Sequence, residues 1–173
     1  LAGNAQLDGE AEKIVRAAMS ETTLNAETRD DLQLRLLDVI QRQTGREKEV
    51  ETQLLALSKT SGAKQDDLRL RLAILYHGAG RADLFTQLLE QVDIDRCSEA
   101  EVLVRASNAS KEIGLNEPSA KMIERAVKLQ PDQPQPWVQW VSRLADIGDE
   151  PAIRQALQQM LGMAKTWNLH EET

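Results

Sequence analysis

Four glycines stand at a near-constant spacing, and that spacing constrains the fold more than any other feature of the chain. Gly45, Gly80, Gly114 and Gly148 lie 35, 34 and 34 residues apart. Five, nine and twelve residues after each glycine come Val50, Leu54 and Leu57; Phe85, Leu89 and Val92; Ser119, Ile123 and Ala126; and Ile153, Leu157 and Met160. Steps of four and three residues put these side chains on one stripe of an α-helix. Eight residues before the glycines stand Leu37, Leu72, Ala106 and Trp140, each on a helix that leads into the corner. A period of this length signals repeated supersecondary units, because one helical hairpin cannot bury its apolar face alone and stacks on its neighbours. The expected fold is all-α, an α-solenoid of helix–turn–helix repeats with about nine helices.

Composition agrees with that period. Aromatic residues make up only 3% of the 173 residues, while good helix formers abound and runs of Val, Ile, Thr and Tyr are missing. No stretch reaches the roughly 20 apolar residues that a membrane-spanning helix needs. The net charge of −7 disfavours general binding to nucleic acid, which rests on clustered Lys and Arg. Cys97 is the one cysteine, so neither an intrachain disulfide nor a cysteine-rich zinc site has its ligands.

The boundaries follow from the breaks in the pattern. Residues 1–29 read as an N-terminal helix, with Ile14, Val15 and Ala18 on one face, followed by a polar connection. That helix is expected to be the second half of a repeat whose first half lies upstream. Complete repeats are placed at 30–64, 65–98, 99–132 and 133–167, with a polar tail at 168–173. Asp30 is the expected cap of the first leading helix, and Thr44–Gly45 holds an extra residue in the first corner. Pro131 closes the third repeat, and Pro134 or Pro136 suits the first turn of the next helix. The chain begins at Leu1, and the expectation is a piece of a larger bacterial protein, for example of cell-envelope or secretion machinery, in periplasm or cytoplasm.

A 34-residue helix–turn–helix unit resembles the tetratricopeptide repeat family. The third repeat carries that family's ending, Ala126 followed five residues later by Pro131. The fourth carries its opening, Trp137, Trp140, Leu144 and Gly148, and the second carries Leu72, Ala73, Tyr76 and Gly80. The chain departs from the family early in the second helices, where Val50, Phe85, Ser119 and Ile153 stand in place of a small residue. HEAT-like arrays stay open as an alternative, with a longer period of ~40–47. The resemblance implies a groove lined by the first helices, which binds a peptide or partner protein and catalyses nothing.

On those helices Arg35, Arg71 and Arg105 are equivalent, 36 and 34 residues apart. One reading is a basic strip for carboxylates or phosphate on a partner, since Arg pairs with both. The other is local, because Asp31, Asp67 and Glu101 stand four residues before them in an order that supports a helix. Gln139 fills the place in the fourth repeat. Further candidates for the groove are Asp38, Ile74, Asn108 and Ser142, then His77 and Lys111. Asn108 with Lys111 hints at the family's carboxylate-clamp subtype, without a matching set in the adjacent repeats.

No catalytic residue, cofactor or metal is expected. His77 and His170 are the two histidines, and neither has the converging carboxylates that catalysis or a metal requires. Trp137 and Trp140 fall on the core stripe and read as packing. The functional expectation is a scaffold or adaptor segment with a protein or peptide partner. The alternative is a structural spacer or self-association module, and an enzyme comes third.

Overall fold

The computed structural model describes residues 2–21, 23–41, 43, 45–60, 62, 64–164 and 167. Among these residues there are nine α-helices, one short 3-10 turn and no strand. The fold class is an all-α solenoid of helical hairpins, as the period predicts. The chain divides into two compact units, residues 1–56 and 57–173.

In the N-terminal unit, α1 (Ala2–Met19) packs on α2 (Ala26–Gln41). Two details differ from the sequence expectation. First, α2 starts a turn before Asp30, because Asn25 accepts the Thr28 N–H through its side-chain oxygen at 2.8 Å and serves as the cap. Second, Ile14 leaves the face of Val15 and Ala18. Those two are half-buried while Ile14 is 70% exposed. Adjacent helical residues point about 100° apart, so Ile14 and Val15 cannot both centre on one buried stripe. The expected extra residue at Thr44 and the histidine at 170 lie outside the described residues.

Glu12 ties α1 to the start of α3 (Glu47–Thr60), which runs across the boundary between the units. Its carboxylate accepts from Arg46 at 2.6 Å, from Gln43 at 2.9 Å and from Arg16 at 2.9 Å. Arg46 first, then Gln43, holds the Glu12 carboxyl down at about 2, against an ordinary value of 4.5.

The C-terminal unit contains three hairpins: α4 (Gln65–Gly78) with α5 (Ala82–Leu89), α6 (Ala100–Glu112) with α7 (Asn116–Leu129), and α8 (Pro134–Ile147) with α9 (Glu150–Ala164). Their corners are glycines with φ of 72° at Gly80, 81° at Gly114 and 82° at Gly148. At each, the next amide bonds back five residues: Arg81 to Tyr76, Leu115 to Ser110 and Asp149 to Leu144. That closure needs a left-handed residue, which glycine adopts without steric cost. One core joins α4, α5, α6 and α7 through Leu70, Ala73, Phe85, Leu103 and Met122. A second joins α7, α8 and α9 through Ile123, Val127, Trp137, Trp140 and Ala156. The Trp137 and Trp140 rings are 5.8 Å apart and tilted by 56°, and the Trp137 N–H donates to the Pro131 carbonyl at 2.9 Å.

Small polar residues finish this packing. Ser107 and Ser119, both fully buried, bond each other across the second hairpin, with hydroxyls 2.8 Å apart and each within 2.9 Å of the other's carbonyl. This arrangement lets a serine occupy a site where α5 carries Phe85. Asp67 of α4 is 1% exposed and accepts from the Ser98 N–H and hydroxyl and from the Glu99 N–H at 2.8 to 3.2 Å. It caps α6 from the preceding hairpin.

Candidate protein-interaction site

The leading helices of the C-terminal unit, α4, α6 and α8, carry eight of the ten residues singled out from the sequence. Arg35 and Asp38 belong to the N-terminal unit, where Arg35 is exposed and Asp38 half-buried.

Several of the eight hold one hairpin to the next. Arg71 donates to the Glu99 carboxylate at the start of α6. His77 lies 3.3 Å from the Glu112 carboxylate, with its ring edge-on to Phe85 at 5.7 Å. Asn108 accepts from the Arg143 guanidinium at 2.7 Å, and Lys111 pairs with Asp146 at 2.7 Å. Two of the three local acid–base pairs expected from the sequence need correction. Asp67 and Arg71 both reach across to the following hairpin, and no ion pair joins Glu101 to Arg105 among the described residues. Both Asp67 carboxylate oxygens accept from the Ser98 N–H and one also from the Glu99 N–H, which holds the carboxylate towards the start of α6. Ile74 is partly buried against the core. Ser142 is exposed.

Apolar periodicity alone misses Arg143, which is only 7% exposed on α8. Its place corresponds to Leu75 and Ala109 in the earlier leading helices, both apolar and buried. A 34-residue alignment that marked polar intruders on the core stripe finds it.

Arg105 and Gln139, equivalent to Arg71, stand beside an opening. α4 packs directly on α6, whereas α6 and α8 make few direct contacts and are bridged near their C-terminal ends by Asn108–Arg143 and Lys111–Asp146. Between their N-terminal halves lies a cleft of about 310 Å³ lined by Glu101, Val104, Gln130, Gln133, Gln135 and Gln139, with Ala100 and Pro136. Side-chain amides dominate this lining. The Gln139 side-chain oxygen is buried there and has no hydrogen-bond partner among the described residues. A larger cleft of about 810 Å³ runs between α7 and α9 over the edges of Trp137 and Trp140.

Reactive chemistry is sparse. Cys97 is fully buried, and burial first, then the Asp67 and Asp66 charges, push its thiol up to about 12, far from thiolate reactivity. Among the described residues no cluster of three or more His, Cys, Asp or Glu side chains is arranged to hold a metal ion. No helix among them is long and apolar enough to cross a membrane.

No family model matches the chain, and no curated protein matches it in sequence. Solved structures do resemble it. MamA of AMB-1 aligns over 97% of this chain and 95% of its own, with a TM-score of 0.54 at 16% identity. MamA of MSR-1 aligns over 94% and 90%, with a TM-score of 0.51 at 15% identity. PlcR of Bacillus thuringiensis, solved with the peptide PapR7 and DNA, aligns over 94% of this chain and 65% of its own, with a TM-score of 0.53 at 15% identity. The fold is a tetratricopeptide-like helical repeat. In this tetratricopeptide-like array the α6–α8 cleft sits between leading helices, the surface that the sequence resemblance marked as the groove. At such identities the likeness concerns the backbone, so the cleft stands on its own residues.

Proposed function

We propose that the chain is a protein-interaction module whose α6–α8 cleft takes an extended segment of a partner protein. The observation that carries this reading is the amide-lined cleft with the unsatisfied Gln139 oxygen. A buried acceptor without a donor costs about 1–3 kcal/mol, and a main-chain N–H of a docked segment removes that cost. Gln130, Gln133 and Gln135 offer donors and acceptors to the same backbone, while exposed Glu101 adds a negative charge to the lining. PlcR is a structure with a peptide and DNA bound. For this chain the net charge of −7 favours the peptide class over nucleic acid.

Selection of a peptide library against the chain, followed by calorimetry, tests this. Gln139→Leu should weaken a selected peptide about tenfold, the equivalent of 1.4 kcal/mol, with helix content unchanged. Matched loss of helicity and binding would assign Gln139 to the fold alone. Self-association is the second reading, favoured by apolar side chains left exposed on α1 and α9, among them Leu7, Ile14 and Leu161.

A further inference from the structure

Among the described residues the apolar stripe of α9 is uncovered. In α7, Ile123 and Val127 are 0% and 3% exposed because Trp137, Trp140 and Leu144 of the next leading helix lie over them. Thirty-four residues on, Leu157 and Leu161 of α9 occupy the equivalent places and are 38% and 64% exposed. The leading helices repeat the trend: Leu70 is fully buried, Val104 partly, and Val138 of α8 is 59% exposed. Val138, Leu157 and Leu161 thus continue the stacking pattern, and no leading helix covers them among the described residues.

The same chain also carries a helix with a free apolar stripe. α1 packs on α2 along one side, and on the other it exposes Leu7 (64%) and Ile14 (70%), two turns apart, with Ala17 a further three residues on. Charge matches as well as shape. Glu10 stands exposed between Leu7 and Ile14, and Arg154 stands exposed one turn before Leu157 and, among the described residues, pairs with the solvent-facing Glu150. Two apolar stripes on opposite ends of one sequence, each flanked by the other's counter-charge, fit an unlike-face contact.

We infer that α1 of one copy docks on the α8–α9 face of a second copy, in the place of a following leading helix. The contact is head-to-tail and heterologous, so each copy offers one α1 and one α8–α9 face and association can continue beyond two copies. It is independent of the α6–α8 cleft.

Sedimentation velocity over a concentration series tests the inference with two variants, Ile14→Glu and Leu161→Glu. Both side chains are exposed, so circular dichroism should show unchanged helicity. The wild-type chain should form progressively larger species as concentration rises, and each variant alone should stay monomeric. An equimolar mixture of the two should give a one-to-one dimer and nothing larger, because each variant keeps one intact end. A wild-type chain that stays monomeric, a single variant that still associates, or a mixture without dimer would each overturn it. Loss of peptide binding in the Gln139 variant leaves this result untouched.

Discussion

At the residue scale, a few buried polar groups carry the packing between helices. Asp67 accepts four hydrogen bonds from Ser98 and Glu99, and Asp67→Ala strips the cap from α6 and leaves those N–H groups without this acceptor. The expected cost is about 2–3 kcal/mol in a denaturant unfolding experiment. Ser119→Ala removes the hydroxyl–hydroxyl contact and the bond to the Ser107 carbonyl, leaves Ser107 its bond to the residue-119 carbonyl, and should cost about 1–2 kcal/mol; a double-mutant cycle with Ser107→Ala reads the coupling of the pair directly. Ser110 has the opposite sign. Its hydroxyl is buried in α6 with no partner among the described residues, so Ser110→Ala should stabilise the chain by about 1 kcal/mol. None of these roles was legible in the sequence. Asp67 stood four residues before Arg71 and suggested a local pair, and the loop that brings Ser98 to it is set by tertiary packing. The full burial of Cys97 places it in the core.

At the scale of elements, glycine corners and apolar stripes were legible because both obey local rules. Positive φ at Gly80, Gly114 and Gly148 admits few other residues, and the 3.6-residue period is written directly in the sequence. Helix starts were less so, since Asn25 and Asp30 are equally good caps by residue type. The face of α1 was misjudged because Ile14 and Val15 are adjacent, and only contact with α2 decides between them. Glu12 makes the attachment of α1 sensitive to pH. A carboxyl held at about 2, below its ordinary 4.5, stabilises the fold above pH 4.5 and loses that contribution as the pH falls from there towards 2. An NMR titration of the Glu12 carboxyl should show that low midpoint, and Arg46→Ala should raise it towards 4.5. High salt should weaken the same link, because Arg16 and Glu49 at its edge are largely exposed. Among the ladder residues, Arg105→Glu is the informative charge reversal: Arg105 makes no ion pair among the described residues, whereas Arg71 already holds Glu99.

At the scale of the whole molecule, the repeat dictated the fold class, and the fold class directs attention to the surfaces of the leading helices. What it could not locate was the opening. The cleft depends on how far α8 stands from α6, and the 34-residue pattern is the same whether adjacent leading helices touch or part. Arg143 and Gln139 mark that difference, a buried guanidinium and a buried amide oxygen where the earlier repeats have simpler contacts. The central claim is that this cleft receives a partner segment. NMR mapping of a peptide enriched from a random library tests it most directly. The account predicts shifts concentrated at Glu101, Arg105, Gln135 and Gln139. Shifts confined to α5, α7 and α9, or a library from which nothing is enriched, would contradict it.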